Sequence, residues 1–386
     1  MGSVNMKKLG FGLMRLPQLD DNPKNIDQEQ LNEMVDLYME NGFNYFDTAY
    51  PYHNGLSEVA LKKAVVERYP RESFKIADKL PIFFVHEEKS MQPLFDEQLE
   101  RCGVDYFDYY MLHNVCSWNE YAFTKVDSFK FLKEKKEEGK IKKLGISLHD
   151  EPDYLERVLE KHPEIDFVQL QINYLDWNDK AIQSSKCYEI ARKYNKPIIV
   201  MEPIRGGGLA DVPEEAEKLM KDYNPDASPS SWALRFCAGL DDVFMVLCGM
   251  SNIEQMEENV SSMTDYEEIN DEEQEILENV ADIIHSAIEI PCTSCNYCLE
   301  TCPQNIYISK YFELYNAEKQ TKWQGFSQQV NMYLTYIEKG FGRARDCVEC
   351  DVCIHQCPQR LDIPGFMKKV SKEFDDVADA TNEAFS

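Results

Sequence analysis

The stretch Tyr106–Ser147, YFDYYMLHNVCSWNEYAFTKVDSFKFLKEKKEEGKIKKLGIS, decides the fold. It opens on an apolar, aromatic-rich run at Tyr106–His113, passes through a charged helical pattern at Phe129–Glu138, and closes on a second run at Lys143–Ser147. A strand, a crossover helix and a second strand make a parallel βαβ unit. The same unit repeats in both directions. Upstream, Leu9–Leu13, Tyr45–Thr48 and Phe74–Lys79 read as strands; downstream, Phe167–Ile172, Pro197–Met201 and Val243–Cys248 do so. Helical patterns lie between or after them at Gln28–Asn41, Leu56–Tyr69, Met91–Cys102, Tyr154–Lys161, Ala181–Tyr194, Pro229–Ala238 and Ile253–Ser261. In the first, Leu31, Met34, Val35 and Tyr38 share one face and Gly42 stops the helix. Strands of near-continuous apolar content are covered on both faces. Eight such units in residues 1–285 predict an α/β fold, a (β/α)8 barrel of the TIM type. Its active site is expected at the carboxyl ends of the strands.

Composition narrows the class. With 386 residues and 43% hydrophobic content the chain can build a real core, which excludes global disorder. No apolar run reaches the ~18–20 residues that span a bilayer, so no membrane partner is expected. Met1–Met6 lacks the basic-then-apolar pattern of a secretory leader, and a cytoplasmic location is the expectation. The net charge of −28 carries no basic footprint for nucleic acid. Twelve acids and no base lie between Glu254 and Asp282.

Of 13 cysteines, five (Cys102, Cys116, Cys187, Cys237 and Cys248) are scattered singly and read as small buried apolar residues. The other eight repeat one pattern. Cys292, Cys295, Cys298 and Cys302 are followed by Pro303, and Cys347, Cys350, Cys353 and Cys357 by Pro358, each as Cys-x2-Cys-x2-Cys-x3-Cys-Pro. Structural zinc uses well-separated pairs of ligands and has no need of three cysteines at successive two-residue gaps. A disulfide framework does not suit a cytoplasmic chain. A cubane iron–sulfur cluster does need closely spaced thiolates, and this run is the two-cluster signature in which the fourth cysteine crosses over. The spacing therefore predicts one 4Fe–4S cluster on Cys292, Cys295, Cys298 and Cys357, and a second on Cys347, Cys350, Cys353 and Cys302. The 44 residues between the runs hold predicted helices at Tyr307–Ala317 and Phe326–Lys339, closed by Gly340. This resembles the α-helical ferredoxins that wire electrons in larger enzymes. The expected division is a barrel at 1–285, an α-helical ferredoxin-like domain at 286–375 and an acidic tail at 376–386.

Polar residues mark several strand ends of the barrel. Asp47 ends one strand and Tyr52 follows it in the loop; Lys79 and His113 end the next two. The stretch DTAYPYHNGLSE (Asp47–Glu58), then IADKL (Ile76–Leu80) and YYMLHN (Tyr109–Asn114), resembles the aldo-keto reductase signature and its Asp, Tyr, Lys, His tetrad. The likeness covers roughly residues 6–285, and the whole chain resembles the bacterial and archaeal subgroup with a C-terminal ferredoxin domain.

The resemblance implies an enzyme that interconverts a small carbonyl compound and an alcohol by hydride transfer, with NADH or NADPH as cofactor. It makes Tyr52 the acid. A free Tyr has a pKa of about 10, and a Lys ammonium some 4 Å away contributes on the order of 4 kcal/mol at an effective dielectric of ~20, which predicts a lowered value. Asp47 is expected to hold Lys79, and His113 to donate to the carbonyl oxygen. Relatives that reduce carbon–carbon double bonds carry Glu in place of this His, so His113 points to carbonyl chemistry.

The resemblance also assigns Ser147 of Gly145-Ile146-Ser147 to the nicotinamide carboxamide, matches Gln169 of QLQIN to a cofactor-binding Gln of the family, and gives Met201 the place of a stacking Tyr. Ile172 stands where the family has Tyr. Arg205-Gly206-Gly207-Gly208 is open to two readings, a diphosphate cradle or a simple turn. Toward the adenosine, an alignment anchored on Glu258 and Asn259 sets Gly249, Ser251 and Gln255 where NADP-specific relatives carry bases, which leans the expectation to NADH. Trp118 within Val115–Glu120, with Tyr174 and Trp177, are candidate substrate walls. Hydride moves two electrons together whereas a cluster takes one, and no flavin motif is present. Three arrangements stay open: clusters exchanging electrons with a redox protein partner, clusters that are structural, or an electron-transfer protein using the barrel as a binding module.

Overall fold

The computed structural model describes residues 7–20, 22–179, 182–286, 289–292, 294, 296, 298, 299, 301–320, 327–357 and 361–385. Eight parallel strands close into a barrel in chain order: β1 (Leu9–Gly12), β2 (Tyr45–Asp47), β3 (Lys75–Leu80), β4 (Phe107–Val115), β5 (Ile141–Leu148), β6 (Phe167–Gln171), β7 (Ile198–Met201) and β8 (Val243–Gly249). Closure comes from β1 pairing with β8, Leu9 opposite Val246 through Gly12 opposite Gly249. The strands are short and apolar on both faces, because one face fills the barrel and the other meets the helices. Tyr45, Ala77, Met111, Phe167, Ile199 and Met245 pack the interior. Gly145 is required there: a Cβ on it would come within 2.4 Å of the Phe167 ring.

The helices follow the same logic. Gln28–Glu40 starts where Asp27 accepts from the Gln30 N–H at 3.0 Å, and buries Leu31, Met34, Val35 and Tyr38 as its periodicity predicts. The single helix expected at Leu56–Tyr69 is instead an α-helical turn, Ser57–Leu61, running into a π turn, Lys62–Val66. Two helices not predicted, Glu214–Tyr223 and Asp271–Ser286, complete the outer ring.

Beyond the barrel, helices Ile308–Lys319, Gln328–Glu338 and Ile363–Phe385 form a second core around Tyr311, Phe312, Tyr333, Val370 and Phe374. The residues expected as a separate acidic tail from 376 continue the last helix. Val370, Phe374 and Ala378 extend its buried stripe at helical spacing, and Asp379 pairs with Arg343 and, at 2.7 Å, Arg345. Gln328–Glu338 packs on the turn Ser117–Asn119, directly above the ends of β4 and β5. Asn331 accepts from Asn114 at 2.8 Å, while Tyr336 and Lys339 donate to Glu151 at 2.7 and 2.6 Å. The helix between the two cysteine runs thus sits on the barrel's mouth. Among the described residues no helix is long and apolar enough to cross a membrane.

Candidate active site

β2, β3 and β4 deliver Asp47, Lys79 and His113 to one rim of the barrel, and the turn Tyr52–Gly55 brings Tyr52 over it. Lys79 Nζ donates to Asp47 Oδ1 at 2.6 Å and to the Thr48 carbonyl at 2.7 Å, with both partners buried. The ammonium lies 5.0 Å from the centre of the Tyr52 ring. The Tyr52 and His113 rings meet edge to face at 6.0 Å, both half-buried. Structure brings all four side chains together.

Electrostatics corrects one expectation. Burial pushes the Tyr52 phenol above its ordinary value, and Lys79, though opposing, does not reverse this. Tyr52 therefore rests fully protonated, and the nearby ammonium favours the phenolate only as the proton leaves. Burial works against the Lys79 charge, but Asp47 and Tyr52 outweigh it and its pKa rises. His113 is driven well below the usual histidine range by burial and then by Lys79, so it stands neutral.

The rest of the Asp47–Glu58 stretch is scaffolding for this rim. Thr48 and Ser57 share a 2.9 Å hydrogen bond, and Ser57 donates to the Leu13 carbonyl at 3.0 Å. His53, at φ 51°, accepts from the Leu16 N–H at 3.0 Å. Glu58 is held by Arg101 at 3.2 Å and Gln98 at 3.0 Å. Together they pin the turn that carries Tyr52.

On the opposite rim Ser147, Gln169 and Met201 form one patch. Gln169 Nε2 lies 3.5 Å and Ser147 Oγ 3.8 Å from Met201 Sδ. Gln169 Oε1 is buried with no hydrogen-bond partner among the described residues. An amide N–H of a nicotinamide carboxamide fits that acceptor, so the patch suits the cofactor.

Farther out, Gly249, Ser251 and Gln255 lie where β8 turns into helix Ile253–Thr264, whose N-terminus is capped by Asn252. Ser251 N–H donates to Gln255 at 2.8 Å and its hydroxyl to the Arg15 carbonyl at 3.0 Å. Asn259 is buried and donates to Cys248 Sγ at 3.3 Å; Glu258 accepts from Ser262 through its backbone carbonyl. The sequence reading missed Arg15, although a cation three residues after a strand's carboxyl end is a signal. Arg15 packs over Gly249, where a Cβ would lie 3.4 Å from it, and pairs with Glu202 at 3.3 Å. Arg205, weighed above near the diphosphate, is buried and committed to Asp176 at 3.0 Å and Gln320 at 3.3 Å.

Tyr174 and Trp177 pack against Phe236, so they line core rather than pocket. The Trp118 side chain lies outside the described residues. His149, also missed, follows Ser147 by two positions and bonds to it at 3.0 Å.

In the second core, Cys302, Cys347, Cys350 and Cys353 line one cavity walled by Ile306 and Met367. Four sulfur donors in an apolar cavity suit an iron–sulfur cluster. Of the other set, Cys292, Cys298 and Cys357 belong to the same cluster-domain core, while Cys295 lies outside the described residues.

Residues 8–282 match the aldo/keto reductase family, and residues 291–361 match a 4Fe–4S dicluster domain. The NADH-specific methylglyoxal reductase of Escherichia coli is 25% identical over 266 residues, covering 58% of this chain and 79% of that protein. The L-galactose dehydrogenase of Arabidopsis thaliana is 27% identical over 267 residues, covering 63% and 80%. Among solved structures, an aldo-keto reductase from Bacillus halodurans in its holo form shares the fold at 24% identity and a TM-score of 0.57, covering 71% of this chain and 91% of that one. One from Klebsiella pneumoniae in complex with NADPH does so at 16% identity and a TM-score of 0.57, covering 73% and 96%.

Proposed function

The chain belongs to the aldo/keto reductase family and is an NAD(P)-dependent oxidoreductase; from that premise we propose that it interconverts a small carbonyl compound and its alcohol, and that its dicluster domain binds two 4Fe–4S clusters. The carrying observation is the buried Lys79–Asp47 pair set against Tyr52 and His113 on one rim.

A reduced nicotinamide, when bound, supplies the hydride for the carbonyl carbon. Ser147 and Gln169 orient its carboxamide and Met201 packs beside it; Gly249, Ser251, Gln255, Glu258 and Asn259 face the adenosine end. Tyr52 gives its phenolic proton to the carbonyl oxygen, the oxygen becomes the alcohol hydroxyl, and Tyr52 regains a proton from solvent. Lys79 stabilises the transient phenolate by charge, and Asp47 keeps that ammonium in place. Neutral His113 donates to the carbonyl oxygen and fixes its orientation. Relatives named for methylglyoxal and L-galactose make small oxygenated carbonyls and alcohols the first substrates to try.

Clusters, when bound, pass single electrons, which suits exchange with a separate redox protein. A second reading, that they hold the roof of the active site in shape, is favoured by the packing of Gln328–Glu338 on the barrel's mouth. Tyr52→Phe tests the enzymatic reading: aldehyde turnover should fall by at least ~100-fold with NADH affinity nearly unchanged. Retention of most activity on every carbonyl turned over by the parent would refute it.

A further inference from the structure

Where the cluster domain touches the barrel, it does so beside the nicotinamide patch. Gln328, in the first turn of its helix, presents Oε1 to His149 Nδ1. The other ring nitrogen, Nε2, faces Ser147 Oγ at 3.0 Å. Three side chains from two domains form one hydrogen-bonded line.

The direction of that line follows from donor chemistry. An amide oxygen only accepts, so Nδ1 of His149 must carry the proton facing Gln328. Burial lowers the His149 pKa to about 4, so the ring is neutral near pH 7 and holds a single N–H. Nε2 is then a lone pair and takes the Ser147 hydroxyl hydrogen. Among the described residues the other acceptor near that hydroxyl is the Met201 thioether, at 3.8 Å, a weaker partner at longer range. With its hydrogen committed, Ser147 Oγ turns its lone pairs outward as an acceptor.

We propose that Gln328 of the cluster domain, acting through His149, sets Ser147 as a hydrogen-bond acceptor for the amide N–H of the nicotinamide. Gln328 is thus a positioning residue, and the cluster domain is a working part of the cofactor site independently of any electron it carries. The inference rests on the reading of Ser147 as a carboxamide contact. It makes the two domains thermodynamically linked: whatever favours docking of the Gln328 helix favours the cofactor, and the cofactor favours docking.

The test compares binding of NADH with that of its 3-acetylpyridine analogue, in which a methyl group replaces the amide nitrogen. Anaerobic full-length protein should prefer NADH by about 3- to 10-fold, the worth of one or two neutral hydrogen bonds. Ser147→Ala should reduce that ratio, Gln328→Leu should reduce it to the same value, and the double variant should fall no further. Gln328→Glu, which keeps an acceptor oxygen, should restore it, and His149→Leu should behave as Gln328→Leu does, should the latter fold poorly. A parental ratio in both Gln328→Leu and His149→Leu, alongside a reduced one in Ser147→Ala, would overturn the relay alone. Failure of the parent to bind either nucleotide would overturn the cofactor reading and the relay with it.

Discussion

Asn114 and Asn331, 217 positions apart, share a buried 2.8 Å hydrogen bond that joins the barrel to the cluster domain. Asn114 directly follows His113 and adopts a left-handed backbone, φ 59°, which Asn tolerates better than most residues. Its carbonyl accepts from Asn119 at 2.6 Å. The end of β4 is therefore fastened from both sides, and His113 sits next to the fastening.

Asn331→Ala should destabilise the protein by about 1–3 kcal/mol, because it leaves the Asn114 amide buried without its acceptor. A double-mutant cycle with Asn114→Ala checks whether the cost belongs to the pair. Coupling of at least ~1 kcal/mol in chemical denaturation is expected, and simple additivity of the two single variants would show that the bond carries nothing.

Cluster content gives a second prediction. Anaerobic protein should hold about eight irons, and Cys302→Ser should lower the count toward about four. The cavity shared by Cys302, Cys347, Cys350 and Cys353 is the reason. The surviving cluster should be the one held by Cys292, Cys295, Cys298 and Cys357. Protection of those four thiols from alkylation, with Cys347, Cys350 and Cys353 labelled, is the expected readout; the reverse pattern contradicts the crossed assignment.

Behind the tetrad, Asp78 is fully buried beside Glu58, which already answers Arg101. Burial and the Glu58 charge hold the Asp78 carboxyl well above its ordinary range. The folded protein keeps a proton that the unfolded chain releases near pH 4. The sign follows: this contribution is complete below pH ~4 and is lost as pH rises toward the native value. Asp78→Asn has no proton to lose. Its stability relative to the parent should improve from pH 5 to pH 8, by up to about 1.4 kcal/mol per unit while the native group stays protonated. Urea midpoints at the two pH values decide it, and a constant difference would mean Asp78 does not titrate this way.

These examples divide what the sequence reveals from what it hides. The strands could be read because a barrel strand is apolar on both faces, and Asp47, Lys79 and His113 stood out as polar endings to such runs. Helix Asp271–Ser286 went unread although Leu277, Val280 and Ile284 mark its buried stripe at helical spacing, because the acids that open it, Asp271, Glu272 and Glu273, extend the charge run of Glu254–Asp282 and read as a solvated surface. Helix Glu214–Tyr223 buries only Ala216 and Met220, too thin a pattern to recognise. The pairs Asn114–Asn331 and His149–Gln328 are polar and far apart in sequence, so no local periodicity announces them. The raised Tyr52 pKa was missed for a different reason. The charge of Lys79 is visible in the residues, whereas the desolvation that outweighs it is a property of the assembled rim.

Cofactor preference is the remaining prediction. A 2′-phosphate brings nearly two negative charges, and a good Arg contact to it supplies about 1.5–3 kcal/mol, or ~10- to 150-fold in affinity. Gly249, Ser251 and Gln255 offer no such contact. Arg15, which packs over Gly249, is already paired with Glu202 at 3.3 Å, and Arg205 with Asp176 at 3.0 Å. Of the twelve acids between Glu254 and Asp282, Glu273 is compensated from outside the run by Arg235 at 2.7 Å. The acids on helix Ile253–Thr264 still face an incoming phosphate with like charge. NADH should therefore bind as tightly as NADPH or more tightly, with the gap narrowing as salt screens the field. Gln255→Arg should tighten NADPH by ~10-fold or more and leave NADH nearly unchanged. Titrations at two salt concentrations measure both, and NADPH binding at least tenfold tighter than NADH in the parent at each would refute the argument.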